Sequence, residues 1–376
     1  MPECENPLVP CAMTGAVTCL AGFSGITVVI HGSSGCYYYP ASLLHAPLAG
    51  TFIVEQDIIF GSEDRLLEVV RDLSGSGMRI AVVTSCVPAI LGEDIKAILS
   101  SYDVILVDSP GFSGSFEAGY KNALSILAPG IDPGTAGVNI DGVSRLDPFC
   151  RGNVIELTRL LSAAGVPVAT VLCSDELGKL ASCSQYTITT DGDLASGIGT
   201  NLGGTLGLDA VRQTFRKIGD AFDGSDVAPV LTEIDSEEER LVRACDKFLR
   251  RFDPPRAAIF SGSSYASFAA AALKKYLDAE IVCIGNRGEP AGQADFLSVP
   301  ASGYSDVRDL IRKHSPDLVI GSSFEKSLRG TAAFTGLTPP LKDRVRLFPE
   351  PIAGISGTLS FMEDVINACI DRESGR

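Results

Sequence analysis

Apolar positions recur along most of the chain with two alternating periods. EDRLLEVVRDL (63–73) spaces its apolar residues three and four apart and predicts an amphipathic helix, whereas RIAVVTS (79–85) is a continuous apolar run of strand length. AILGEDIKAILSS (89–101) then predicts a helix and DVILVDS (103–109) a further strand. The alternation restarts with the strand AGVNID, the helix NVIELTRLLSAAG and the strand VPVATVL. It restarts again with RAAIFSG, a helix through SFAAAALKKYL, the strand AEIVCIG, the helix DVRDLIRKH and the strand DLVIGSS. A charged helix, SEEERLVRACDKFLRRF, ends at Pro254 and Pro255 and links the second block to the third. Strands apolar on both faces and interleaved with helices predict an α/β chain of three Rossmann-like, doubly wound parallel-sheet domains. The expected division is 1–135, 136–235 and 236–348. A C-terminal segment 349–376, whose helix TLSFMEDVINACI has spare apolar positions, is expected to return to the first domain.

The front of the chain breaks this pattern. From Asn6 to Val54, 49 residues pass without an Asp, Glu, Lys or Arg. Pro10, Gly15, Gly22, Gly25, Gly32, Gly35, Pro40 and Pro47 interrupt every apolar run that could cross a bilayer. The segment is therefore expected to be loop-rich and buried within its domain or at a subunit interface. It carries Cys11, Cys19, His31 and Cys36. A chain of 376 residues with a net charge of −15 opposes phosphate backbones and anionic lipid surfaces, so neither a nucleic acid nor a membrane is expected as a partner. MPECENPLVPC has neither the basic start nor the apolar stretch of a secretory signal, and a cytoplasmic location is expected. There the 11 cysteines would stay reduced, as core thiols, metal ligands or nucleophiles.

Open α/β folds carry their working residues at the carboxyl ends of strands, and Cys86 directly follows the strand RIAVVTS. A core cysteine is the commoner occupant of such a place. Cys11 and Cys36 change the reading, because three thiols within reach of one another suit an iron-sulfur cluster. Their spacings of 25 and 50 residues match no compact ferredoxin motif. PCAMTGAVTC, VVIHGSSGCYYYPA and TSCVPAILGEDI together resemble the three cluster-binding motifs of nitrogenase component 1 and its nitrogenase-like relatives. DSPGFSGSFEAGYKNAL is similar to the family's following glycine-rich loop and helix, and PEPIAGISGTLSFMEDVINACI to its C-terminal helix, so the resemblance covers nearly the whole chain.

The resemblance implies that Cys11, Cys36 and Cys86 ligate a 4Fe-4S cluster at a subunit interface; two thiols per protomer are enough for a symmetric cluster between two copies, the alternatives being an asymmetric cluster or one in each protomer with three Cys and a fourth ligand. Cys19 reads as packing. Nitrogenase holds its iron-molybdenum cofactor with a Cys and a His, and here neither Cys183 nor His31, His45 or His314 suits that role. A short member without that cofactor is most similar to the reductive cyclases that act on Ni-sirohydrochlorin a,c-diamide in coenzyme F-430 biosynthesis in methanogens. That resemblance implies a homodimer receiving electrons from an ATP-dependent iron protein. It also implies a nickel tetrapyrrole substrate, reduced by six electrons with lactam closure. No GxxxxGK(S/T) loop is present, which assigns ATP to the partner. Arg145, Arg151 and Arg287 are the candidate contacts for the substrate carboxylates. Tyr37, Tyr38, Tyr39, His45 and Asp147 are unranked candidates for proton donation. Two alternatives stand beside this reading: a subunit of another nitrogenase-like tetrapyrrole reductase, and a non-catalytic scaffold for metal-cofactor assembly.

Overall fold

The computed structural model describes residues 8–44, 46–288, 298–342, 345 and 347–375; His45 lies outside them. Three sheets follow one another along the chain, each built from parallel strands. The first comprises β1 (Ile26–His31), β2 (Leu48–Gly50), β3 (Arg79–Thr84) and β4 (Val104–Asp108) in the order β2-β1-β3-β4. The second comprises β5 (Val138–Asp141), β6 (Val168–Val171), β7 (Tyr186–Thr189) and β8 (Thr200–Gly204) in the order β6-β5-β7-β8. The third comprises β9 (Arg256–Ser261), β10 (Glu280–Asn286), β11 (Ser298–Pro300), β12 (Leu318–Gly321) and β13 (Ala333–Gly336) in the order β11-β10-β9-β12-β13. Every sheet thus reverses its winding beside its first strand, and the crevice at that reversal opens at the carboxyl ends of β1 and β3, β5 and β7, and β9 and β12. The central strands are continuously apolar because helices cover both faces; β1 is buried at all six positions.

Four expectations are corrected. The charge-free front segment is largely regular: helix Ala12–Gly22 is buried at every residue, β1 follows, and helix Ser34–Leu44 bends through Pro40. Its small residues let two helices touch backbone to backbone. A Cβ on Gly15 would lie 1.9 Å from the carbonyl oxygen of Phe116, and one on Gly119 would lie 1.9 Å from that of Ala12, where Gly119 belongs to helix Phe116–Ile126. Glycine here serves close approach, and charge is absent from helix Ala12–Gly22 because that helix has no solvent-facing side.

The stretch 89–101 is two short helices, Cys86–Leu91 and Ile95–Ile98, broken where Gly92 turns left-handed (φ +71°) and Asp94 accepts the Ala97 N–H at 3.0 Å. The charged linker is longer than its charge pattern suggested. Helix Ala228–Leu249 runs unbroken from a proline in its first turn, so the expected boundary at 235/236 falls inside it. Val230, Ile234, Leu241, Cys245 and Phe248 fuse the second and third sheets into one core.

Helix Gly354–Glu373 packs on that shared core through Phe361, Met362, Val365 and Cys369, rather than returning to the first sheet. The cause lies in its approach. Asn153 Oδ1 accepts the N–H groups of Ile352 (2.8 Å) and Ala353 (2.9 Å), and Glu156 Oε1 accepts that of Ser356 at 3.0 Å. These bonds pin the strand of chain before the helix to helix Cys150–Ala163 of the second sheet. Among the described residues, no helix is long and apolar enough to cross a membrane.

Candidate metal centre

Cys36 and Cys86 stand on either side of the first sheet's winding reversal. β1 ends at His31 and β3 at Thr84, directly paired, and each strand leads at once into a tight turn and a helix: Ser34–Leu44 for Cys36, Cys86–Leu91 for Cys86. The two turns press on each other, since a Cβ on Gly32 would lie 2.1 Å from Ser85 Oγ and 3.6 Å from Cys36 Cβ. Cys11 reaches the same edge from the start of helix Ala12–Gly22, tied by a β-bridge to Ser115 in the loop after β4. That loop completes the cradle at Gly111. A Cβ there would lie 3.2 Å from the Sγ atoms of both Cys11 and Cys86, and the Gly111 N–H donates to Cys86 Sγ at 3.2 Å.

Ser33 Oγ donates to Cys36 Sγ at 3.6 Å, and Thr14 Oγ1 lies 3.6 Å from Cys11 Sγ. All three thiols are free and partly exposed, whereas Cys19, Cys173, Cys183, Cys245, Cys283 and Cys369 are buried. Burial pushes the Cys245 and Cys283 thiols up to about 11 and that of Cys369 up to about 12, leaving these groups as inert packing. Cys19 Sγ lies 3.5 Å from Cys173 Sγ within the core, and Cys183 contacts the Leu180 carbonyl.

Soft donors around a backbone N–H, with a glycine where any side chain would crowd two sulfurs, match the requirements of an iron-sulfur cluster. Among the described residues, no three His, Cys, Asp or Glu side chains close on a point that could hold a single metal ion. The surroundings of the thiols point outward: Tyr38, Phe60 and Ile90, from the helices after β1, β2 and β3, and Phe112, from the loop after β4, are 67%, 85%, 68% and 58% exposed. Large apolar side chains left in water at one sheet edge, beside partly exposed thiols, are the mark of a binding surface.

The other two winding reversals face each other and carry carboxyl groups. Asp193 Oδ2, from the loop after β7, accepts the Ser264 N–H at 3.1 Å at the start of helix Ser263–Leu277, which follows β9. Asp191 is held well above the usual carboxylate range by burial, reinforced by Asp193, Asp147 and Glu117. Burial also raises Asp193 and Asp141, against hydrogen bonds that favour their ionised forms. Gly142, at φ +73°, lets the β5 turn meet Asp191, whose backbone oxygen would be 2.3 Å from any Cβ there. Tyr265 donates to Asp147 Oδ2 at 2.7 Å. The first sheet's edge reaches this junction through Glu117, whose Oε1 would lie 3.1 Å from a Cβ on Gly288.

The candidate arginines are dispersed. Arg145 is exposed and donates to the Gly22 carbonyl at 3.1 Å, and Arg151 is exposed in the first turn of helix Cys150–Ala163. The expectation for Arg287 is corrected: it is a buried residue ion-paired with Glu325 and bonded to Ser322, rather than a free loop cation. Its charge is spent inside the third sheet, because an unpaired guanidinium there would be prohibitively costly. Tyr39 lies near enough to Cys11 and Arg287 to feel both; burial raises its phenol, the Cys11 sulfur adds to the rise and Arg287 opposes it.

Sequence reasoning missed Gly111, Thr51, Ser62 and Glu93. Glu93 carried a signal, being the first charge after Cys86 in TSCVPAILGEDI.

The model of nitrogenase component 1 type oxidoreductases matches residues 11–370. The nitrogenase molybdenum-iron protein beta chain of Sinorhizobium fredii (strain NBRC 101917 / NGR234) is 23% identical, over 98% of this chain and 84% of its own. The nitrogenase iron-molybdenum cofactor biosynthesis protein NifE of Clostridium pasteurianum is 24% identical, over 85% of this chain and 79% of its own. The solved structure of nitrogenase Cp1 at pH 6.5 superposes with a TM-score of 0.82 at 18% identity, covering 99% of this chain and 94% of that one, and so shares the fold. The chain belongs to the nitrogenase component 1 type oxidoreductase family.

Proposed function

We propose that this chain is the substrate-reducing subunit of a nitrogenase-like reductive cyclase, acting as a homodimer on Ni-sirohydrochlorin a,c-diamide. Its electrons come from a separate ATP-hydrolysing iron protein. The observation that carries the redox part is the convergence of Cys11 and Cys86 on Gly111, with Cys36 across the winding reversal, inside an exposed apolar rim. Cys11, Cys36 and Cys86 would hold a 4Fe-4S cluster, with the rim closed by a second copy. When bound, the cluster supplies one-electron transfer at low potential.

The chain's own groups do the rest. The Gly111 N–H and the Ser33 hydroxyl donate to sulfur and stabilise negative charge there. Asp191 and Asp193, held above the ordinary carboxylate range, keep protons at the junction of the sheet edges, where a reduced macrocycle needs them. Arg145 and Arg151 remain the exposed cations for a polycarboxylate in a chain of charge −15.

A second reading, a scaffold on which a metal cofactor is built, is favoured by the similarity to NifE. One assay separates the two. The anaerobically reconstituted chain is mixed with an iron protein partner, ATP, dithionite and Ni-sirohydrochlorin a,c-diamide in a single turnover followed by tetrapyrrole absorption. Conversion to the reduced, ring-closed chromophore supports the cyclase; a cluster-loaded homodimer that binds no tetrapyrrole sinks it and favours the scaffold.

A further inference from the structure

His31 is fully buried at the end of β1, five residues before Cys36, in a segment without formal charge. Its ring is bonded on both sides. Nε2 lies 3.1 Å from Glu93 Oε2 and 3.2 Å from Ser62 Oγ, while Nδ1 lies 3.1 Å from Thr51 Oγ1. Glu93 belongs to the break after helix Cys86–Leu91, Thr51 follows β2, and Ser62 precedes helix Glu63–Leu73. The imidazole therefore ties the segments after β2, before helix Glu63–Leu73 and after helix Cys86–Leu91 to the end of β1, and it reaches the turn before Cys36 through Thr51, which accepts the Gly32 N–H.

The bonding pattern fixes the tautomer. An ionised Glu93 can only accept, so Nε2 carries the hydrogen. Thr51 Oγ1 accepts the Gly32 N–H at 3.0 Å, and its own hydrogen is shared between Nδ1 at 3.1 Å and the Gly32 carbonyl at 3.4 Å. Ser62 donates its hydroxyl to Glu93 at 2.7 Å and its backbone N–H at 3.1 Å, so no member of the network is left unpaired. Among the described residues Glu93 is the charged group facing the ring, and the other elements present only the hydroxyls of Thr51 and Ser62. Burial lowers the affinity of His31 for a second proton, with Glu93 opposing the shift. The His31 carbonyl adds a backbone tie by accepting the Ser85 N–H at 3.0 Å, next to Cys86.

We propose that His31 is a positioning residue: its neutral Nε2–H form, through Glu93, locks the Cys36 and Cys86 turns at the separation their shared cluster requires. The inference rests on reading those cysteines as cluster ligands. A buried, fully paired link of this kind resists opening, because breaking it strands polar groups away from water.

The test uses the full chain in two forms. In the iron-free protein, alkylation of Cys36 and Cys86 by iodoacetamide is timed by peptide mass spectrometry at fixed pH, with Cys11 as internal standard. His31→Ala and Glu93→Ala should speed both relative to Cys11, by up to about fivefold, the factor that the loss of one buried hydrogen bond gives a local opening equilibrium, the partial exposure of both thiols setting that as the ceiling. His31→Gln, which keeps an N–H for Glu93, should restore rates near the wild type. The reconstituted protein should lose iron in the same order. Unchanged rates and unchanged iron in both alanine variants overturn the proposal while leaving the ligands standing. Faster alkylation in a chain that takes up no iron supports the latch and removes the cluster reading instead. If His31→Ala does not fold, Glu93→Ala breaks the same link from the loop side and decides the matter alone.

Discussion

The first sheet's carboxyl edge and the junction between the second and third sheets are the same architectural feature, a winding reversal in a parallel sheet, built for opposite chemistry. At the first, small residues bring two helix backbones together, and three thiols stand partly exposed beside exposed apolar side chains. At the second, burial raises the carboxyls of Asp191 and Asp141 above their ordinary range, Asp141 being fully buried, beside the start of helix Ser263–Leu277. One edge leaves its reactive groups open to solvent; the other largely takes them out of water. The lesson is that the crevice supplies geometry only, and local burial decides the state of the groups it brings together.

Removing thiols tests the open edge and should give the largest effect. Cys36→Ala or Cys86→Ala should abolish most iron binding and visible absorption after anaerobic reconstitution, with Cys11→Ala close behind. Cys19→Ala should keep both, because Cys19 packs beside Cys173 in the core and costs only stability, about 1–2 kcal/mol for a buried thiol group. Full iron in Cys36→Ala or Cys86→Ala would break the contrast by making the exposed thiols no different from the buried ones. Denaturant midpoints measured on the same proteins separate loss of fold from loss of ligand.

The two edges were not equally legible in the sequence. Apolar runs at strand length announced the three sheets, because strands covered on both faces need no polar alternation. The three cysteines were legible through their flanking turns. The junction was not, since Asp191 and Asp193 lie on one loop while Asp141, Asp147 and Glu117 come from distant parts of the chain, and only the packing of two sheets makes neighbours of them. Helix Ala12–Gly22 was misread for a related reason. Gly15 counts against a helix by local propensity, but here it allows contact with Phe116 and Tyr120. The destination of the last helix depended on Asn153 and Glu156, whose side chains catch backbone N–H groups some two hundred positions away.

The sealed edge can be tested by pH. A carboxyl whose folded pKa is raised binds its proton more tightly in the native state. Its contribution is complete below the unfolded value and is lost as pH rises toward the folded one. For Asp191 the loss therefore begins near pH 4, the ordinary carboxylate range, and continues upward. Asp191→Asn, which stays neutral and keeps an oxygen for the Asp193 N–H, should flatten that decline and leave the protein at least as stable at pH 7. Thermal midpoints between pH 4 and pH 8 read this directly. A variant curve parallel to the wild type would mean that Asp191 is not the group being titrated.

The smallest effect sharpens the contrast from within the open edge. Hydrogen bonds to cluster sulfurs stabilise the more negative, reduced state, so deleting one lowers the reduction potential without removing a ligand. Ser33 Oγ donates to Cys36 Sγ at 3.6 Å, a long and weak bond, whereas the Gly111 N–H reaches Cys86 Sγ at 3.2 Å. Ser33→Ala should keep full iron content and shift the potential downward only slightly, measured by redox titration against visible absorption. Gly111→Ala would place a Cβ 3.2 Å from two sulfurs and should cost iron as well. An equal loss of iron in both variants would mean that the turn around Cys36 is held by the Ser33 side chain and not by the backbone beneath it.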